Sequence, residues 1–117
     1  MRVAGIGFRK GVSAESLRAA LAPMGAFERL ATAEEKLGEP GLQGLAKGLG
    51  LEVQGVSRQE MAALGIAGSA RVVAAHGTGS VAEAAALAAA GPGARLVIGR
   101  RKGPDGMAVA ALAEGGA

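Results

Sequence analysis

Short apolar segments alternate with capped helical segments along the chain, and this alternation constrains the fold more than any other feature. Residues 3–7 form an apolar run that ends at the turn Arg9-Lys10-Gly11, and Ser13 then caps a helix to about residue 22. Further strands are predicted at residues 27–32, 51–56, 95–99 and 107–113, with a weaker one at 72–75. Further helices are predicted at residues 40–49, 58–64 and 81–90, with a short acidic turn at 34–35.

This order predicts an α/β fold: one three-layer domain over residues 1–117, with a mostly parallel sheet and helices on both faces. The last two strands are joined by a segment that contains Pro104-Asp105-Gly106, a strong turn signal. We therefore expect a C-terminal antiparallel hairpin that adds an edge to the sheet. In the helix at 40–49, the spacing predicts a buried stripe of Leu42, Leu45, Ala46 and Leu49.

Two segments carry the Ser-x-x-Glu spacing of a capping box, in which the serine and glutamate side chains each accept a backbone N–H. Ser57 and Glu60 predict the start of one short helix, which buries Met61 and Leu64. Ser80 and Glu83 predict the start of another near residue 81. Gly50 predicts the end of the helix that precedes the third strand.

Composition excludes several functional classes. Phe8 and Phe27 are the only aromatic residues, so base stacking on RNA or single-stranded DNA is not expected. The chain has no cysteine, which excludes disulfides and thiolate metal sites and fits a reduced cytoplasm. No apolar run is long enough for a membrane span, so we expect a cytoplasmic protein without membrane contact.

Basic residues are concentrated in the C-terminal half of the chain. Between residues 61 and 104 the only acid is Glu83, whereas the cations there are Arg71, Arg95, Arg100, Arg101 and Lys102. This imbalance indicates a surface that attracts an anion or an acidic partner.

The stretch from His76 to Glu83 predicts a glycine loop followed by a helix start. Backbone N–H groups at such a start bind anions, and the loop and first turn consist of Gly77, Thr78, Gly79 and Ser80. Locally, a capped helix after a turn, without a ligand, is the more frequent explanation.

Ligands of parallel sheets bind beyond the carboxyl ends of the strands. The loops expected there include Gly5, Gly7, Arg9 and Lys10 after the first strand, the glycine loop before the helix at 81–90, and the cations Arg100, Arg101 and Lys102 of the hairpin. We expect these groups to converge on one crevice and bind a ligand. The alternative for the hairpin cations is a solvated tip that discourages edge pairing.

Two further chemistries have weaker support. The glycines at 5, 7 and 11 approximate a dinucleotide-binding fingerprint, but the spacing is one residue too long and Glu34 is only a loose candidate for the ribose acid. His76 is the only histidine, so a metal site is not expected, and no cofactor is predicted. His76 is a candidate catalytic acid or base, although the more ordinary interpretation is a loop histidine that hydrogen-bonds the backbone.

Several segments resemble a known family. Residues 5–13 (GIGFRKGVS), 39–42 (EPGL), 80–87 (SVAEAAAL), 96–97 (LV) and 107–110 (MAVA) resemble, in order, the CobE and CbiG C-terminal family of cobalamin biosynthesis. The family often carries cysteine where this chain has Phe8. This chain also places His76-Gly77-Thr78 ahead of Gly79-Ser80.

The resemblance implies a cytoplasmic protein of corrin-ring construction that stands alone, as CobE does. Its expected partner is a precorrin or cobalt-precorrin, whose carboxylates suit arginines and backbone N–H groups. It would act as an accessory or carrier protein or in a ring-modifying step. One alternative is a cobalt-precorrin hydrolase that releases acetaldehyde, an activity associated with CbiG, in which His76 would carry the proton. Two others are a docking partner of another pathway enzyme and a nucleotide-binding domain.

Overall fold

Five strands and four α-helices make up the part of the chain that a computed structural model describes, residues 1–63 and 78–115. The strands are β1 (Arg2–Phe8), β2 (Arg29–Ala33), β3 (Val53–Val56), β4 (Arg95–Lys102) and β5 (Ala108–Glu114). The helices are α1 (Ala14–Leu21), α2 (Pro40–Leu49), α3 (Arg58–Ala63) and α4 (Thr78–Ala90), with short 3-10 turns at Ala22–Met24 and Glu34–Lys36. The predicted strand at 72–75 lies outside the described residues.

The strands form one mixed sheet in the order β3-β2-β1-β5-β4. β1 pairs parallel with β2, and β2 with β3, whereas β5 pairs antiparallel with both β1 and β4. The α/β class is confirmed, and so is antiparallel pairing of the last two strands. The sheet is less parallel than expected, because the hairpin does not simply extend its edge.

Burial explains where the hairpin strands lie. Every residue of β5 except Glu114 is buried, and these residues are small or aliphatic, so β5 lies inside the sheet beside β1. The C-terminal part of β4 is exposed and cationic, so β4 forms the edge. Water solvates charged side chains at an edge far better than in the sheet interior.

Helices cover both faces of the sheet, as predicted. On one face, Ile6 of β1 packs in a cluster with Leu17 of α1 and Leu45 of α2. On the other face, Val3 of β1 packs in a cluster with Ala85 of α4. We call these the α1 face and the α4 face. No helix among the described residues is long and apolar enough to cross a membrane.

Local signals located several helix ends correctly. The Ser13 hydroxyl accepts the Ser16 N–H at 3.0 Å at the start of α1. Ser57 and Glu60 form the reciprocal capping box of α3, at 3.0 and 3.1 Å. Gly50 ends α2 with a φ of 67°, which favours glycine.

Two helix predictions need correction. In the stripe of α2, Leu42 and Leu45 are buried, whereas Ala46 is half-buried and Leu49, the last residue of the helix, is 36% exposed. α4 begins at Thr78, so Ser80 lies inside the helix and is not its N-cap. The Glu83 carboxylate accepts the N–H of Arg100 in β4, a partner that the sequence did not indicate. Leu64 lies outside the described residues.

α4 packs directly on the backbone of β1 at Gly5. A Cβ built on Gly5 would overlap the Ala82 carbonyl oxygen and lie 2.7 Å from the Ala86 nitrogen and 2.9 Å from its Cβ. A glycine is therefore required at this position for the helix to approach the sheet. Ala82 and Ala86 are themselves fully buried, so small residues on both elements permit the approach.

We expect Gly5→Ala to destabilise the protein by about 1–3 kcal/mol, because the added methyl forces α4 away from the sheet. Gly44→Ala is the matched control, since Gly44 is an exposed residue of α2 with open space around the position of a Cβ. The control should stabilise the protein by about 0.5–1 kcal/mol, as alanine favours a helix over glycine. Urea unfolding measures both, and equal midpoints for Gly5→Ala and the wild type would contradict the packing argument.

Candidate functional site

The carboxyl ends of β1, β2, β3 and β4 lie at one edge of the sheet, which we call the carboxyl edge. β1 is parallel to β2, and β4 runs in the same direction because both β1 and β4 are antiparallel to β5. The loop after β1 adjoins the hairpin loop there, since Phe8 pairs with Ala108 and the Arg9 N–H donates to the Met107 carbonyl at 3.0 Å. Two of the predicted ligand-binding segments are therefore neighbours.

The α4 helix starts at the same edge. A Cβ built on Gly115, beyond the end of β5, would lie 3.2 Å from the carbonyl oxygen of Ala90 and 3.6 Å from that of Met1. The last residue of α4 is thus beside the start of β1, so the helix runs antiparallel to β1. Its first turn, which includes Thr78, Gly79 and Ser80, consequently faces the carboxyl edge with the positive end of the helix dipole.

Cations at the end of β4 divide between the two faces of the sheet. Arg101 pairs with Ala110, which belongs to the core cluster of the α1 face. Lys102 pairs with Val109, which clusters with Ala82 of α4. Val109 also pairs with Gly7 of β1, so Gly7, Val109 and Lys102 form one row across the α4 face. Two strand spacings, about 10 Å, separate the ends of that row.

The loop after β1 is held by hydrogen bonds within the protein. The Gly11 N–H donates to the Glu39 carboxylate at 2.6 Å, and the Val12 N–H donates to the Arg9 carbonyl at 3.1 Å. A Cβ on Gly41 at the start of α2 would overlap the Val12 carbonyl, so α2 packs tightly against this loop. The loop is therefore held by hydrogen bonds and by close packing against α2.

These bonds occupy backbone N–H groups of the first glycine loop, which are therefore not available to a ligand. The N–H groups of Arg9, Gly11 and Val12 all donate to protein acceptors, and the acceptor of the Gly11 N–H is the Glu39 carboxylate, whose charge repels a phosphate. The dinucleotide alternative loses its physical basis at this loop. What the loop offers is the exposed side chains of Arg9 and Lys10.

The remaining predicted residues are placed as follows. Gly5 lies in the middle of β1 beneath α4, where its small size permits close packing of the helix. Phe8 is 2% exposed and lies in the core, with the Lys36 ammonium 5.8 Å from its ring centroid. His76 and Gly77 lie outside the described residues. Arg100, Arg101 and Lys102 are all exposed.

The hairpin loop is anchored to α1 through Asp105, a residue that the sequence marked only as part of a turn. The Ser16 hydroxyl donates to the Asp105 carboxylate, which also accepts the Met107 N–H at 3.0 Å. These bonds, with Ser16 first, hold the pKa of Asp105 below its ordinary value. The anchor forms a groove of about 350 Å³ lined by Ser13, Glu15, Ser16, Ala19, Pro104 and Asp105.

The carboxyl edge is divided by charge. A cavity of about 110 Å³ at the ends of β2 and β3 is lined by Ala33, Glu34, Glu35, Val56, Arg58 and Met61. Arg58 lies 3.8 Å from the Glu35 carboxylate, so the carboxylates there offset its charge. The half formed by β1, β5 and β4 carries the cations, and an anion is attracted to that half. Among residues 1–63 and 78–115, no cluster of three His, Cys, Asp or Glu could hold a metal ion.

We expect Ser16→Ala to raise the pKa of Asp105 toward its ordinary value, because the largest cause of the shift is removed. Since folding lowers this pKa, the carboxylate stabilises the fold above an unfolded-state pKa of about 3.9, and that contribution is lost as pH falls through the folded-state pKa. NMR titration of the Asp105 carboxyl measures the shift, with Ser57→Ala as a control at a distant cap. Identical titrations in wild type and Ser16→Ala would contradict this cause.

Comparison with known proteins gives the family. The family model described as Cobalamin synthesis G C-terminus matches residues 2–113, whereas no curated protein sequence matches the chain. The cobalamin biosynthesis protein chiG from Agrobacterium tumefaciens is 37% identical over 100% of both chains, with a TM-score of 0.81. CobE, a protein from the cobalamin biosynthetic pathway, is 36% identical over 97% of this chain and 92% of that chain, with a TM-score of 0.77. The chain therefore belongs to the CobE and CbiG C-terminal family of cobalamin biosynthesis proteins.

Proposed function

We propose that the protein binds a precorrin or cobalt-precorrin at the cationic half of the carboxyl edge, as an accessory or carrier protein of cobalamin biosynthesis. The observation that supports this most is the junction of the loop after β1 with the hairpin loop, made by the Arg9 N–H and the Met107 carbonyl. That junction brings the cations of two distant chain segments to one end of the sheet.

The charges and groups at this end suit a ligand with several carboxylates. The exposed cations are Arg9, Lys10, Arg100, Arg101 and Lys102. Arginine binds a carboxylate through two parallel hydrogen bonds, and the first turn of α4 adds N–H donors and a positive dipole. Each exposed ion pair contributes only about 0.2–1 kcal/mol, so useful affinity needs several carboxylates bound at once. Precorrins meet this requirement, since carboxylate arms surround their ring.

The rigidity of the site favours binding without rearrangement. Glu39 and Gly41 fix the loop after β1 from the α2 side, and Asp105 fixes the hairpin loop from the α1 side. Backbone supports of this kind reduce the conformational entropy that the two loops lose on binding. The acidic lining at the ends of β2 and β3 repels carboxylates and directs the ligand toward β1, β5 and β4.

Binding can be tested with cobyrinic acid, a corrin whose side chains end in free carboxylates, in equilibrium dialysis followed by visible absorbance. We expect the wild type to bind it and Arg9→Glu and Arg101→Glu each to weaken binding by about 1 kcal/mol, roughly fivefold, since reversal replaces an attraction with a repulsion. Lys47→Glu is the matched control, because Lys47 is an exposed cation in the last turn of α2. It should leave the affinity unchanged.

Ester derivatives separate charge recognition from recognition of the ring. We expect the methyl ester of cobyrinic acid to bind far more weakly than the free acid, and added salt to weaken binding of the acid. Unchanged affinity in both Arg9→Glu and Arg101→Glu would rule out this site. If the wild type does not bind the acid, the proposal is wrong, and the alternative is that the same basic face docks another pathway enzyme.

A further inference from the structure

Glu83 is the only charged residue of α4, and its carboxylate reaches across to the edge strand. Its Oε2 atom accepts the backbone N–H of Arg100 at 3.1 Å. A Cβ built on Gly99 would lie 3.5 Å from the same oxygen, so β4 passes close to the carboxylate where it has no side chain. The contact joins the helix to the strand segment that leads into Arg101 and Lys102.

The contact lies where β4 departs from regular pairing. Leu96 pairs with Ala113 and Lys102 with Val109, so β4 uses six residue steps where β5 uses four. The two extra residues fall between Leu96 and Arg101, and the register shifts on both sides of Ile98. Bulges of this kind leave backbone groups without a ladder partner and redirect the side chains that follow. Arg100 is within this irregular part, and Glu83 supplies its partner.

We propose that Glu83 is a positioning residue: by accepting the Arg100 N–H, it holds the irregular part of β4 in place and, together with the hairpin bond from the Gly103 N–H to the Ala108 carbonyl, keeps Lys102 aligned with Gly7 on the α4 face. A slip of one residue in β4 would exchange the faces on which Arg101 and Lys102 lie. Lys102 would then leave the α4 face and Arg101 would take its place, which changes both the cation beside the positive end of the helix and its position. The inference rests on the proposed function, because the alignment matters only for a ligand at this edge.

Because Glu83 is negatively charged, a positioning role and a purely electrostatic effect on the ligand predict different changes in affinity. A carboxylate close to an anion site repels the ligand, so electrostatics alone predicts tighter binding when Glu83 is removed or neutralised. Positioning predicts the opposite for alanine, which cannot accept the N–H, and little change for glutamine, whose amide oxygen can. The sign of the effect therefore distinguishes the two.

The test measures cobyrinic acid affinity by equilibrium dialysis for wild type, Glu83→Ala and Glu83→Gln. We expect Glu83→Ala to weaken binding about tenfold, because the Arg100 N–H loses its acceptor, and Glu83→Gln to stay within about threefold of the wild type, because the amide oxygen can still accept it. Glu52→Ala removes an exposed carboxylate just before β3 and is the matched control for net charge. Its affinity should equal that of the wild type.

The register is read separately by NMR, as amide exchange of Arg100 and as cross-strand contacts between Lys102 and Val109. We expect both to be preserved in Glu83→Gln, and in Glu83→Ala the exchange to accelerate and the contacts to be lost. Affinity of Glu83→Ala equal to or above that of the wild type overturns the inference and leaves the proposed function standing. Weakened binding with the Lys102 contacts intact also overturns it. If the wild type does not bind, the proposed function fails and Glu83 has no ligand to position.

Discussion

The close packing of α4 on Gly5 is the contact on which the rest of the molecule depends. It buries Ala82 and Ala86 against β1 and sets the height of the helix above the sheet. From that height, Glu83 reaches Arg100 in β4, and the first turn of the helix faces the carboxyl edge. A larger residue at position 5 would therefore disturb the core, the strand register and the proposed site together.

The core of this protein consists of small aliphatic residues, and that composition explains how the sheet is arranged. β5 contributes a run of buried alanine, valine and leucine, which fits between two neighbouring strands and between the helices on the two faces of the sheet. The cations of β4 need solvent, so that strand takes the edge. The same division concentrates positive charge beside the loop after β1, at one end of the sheet.

Features governed by neighbouring residues could be predicted, and features governed by distant ones could not. Ser13 and the Ser57–Glu60 box cap helices as expected, because a cap involves groups three residues apart. The Ser80–Glu83 spacing is the same, yet Glu83 binds β4, since a strand backbone seventeen residues away competes for the carboxylate. Likewise, Gly11 matched part of a dinucleotide-binding motif, but its N–H donates to the Glu39 carboxylate.

The sequence by itself determined the α/β class, most helix and strand positions and the family, because alternation, capping and motif order are encoded locally. It also indicated which segments carry cations. Only the tertiary structure decided that β5 lies beside β1, that Gly5 serves packing, and that Arg9 adjoins the hairpin loop. Those outcomes depend on which surfaces can be buried together and on which acceptor reaches a given N–H, and both are properties of the folded chain.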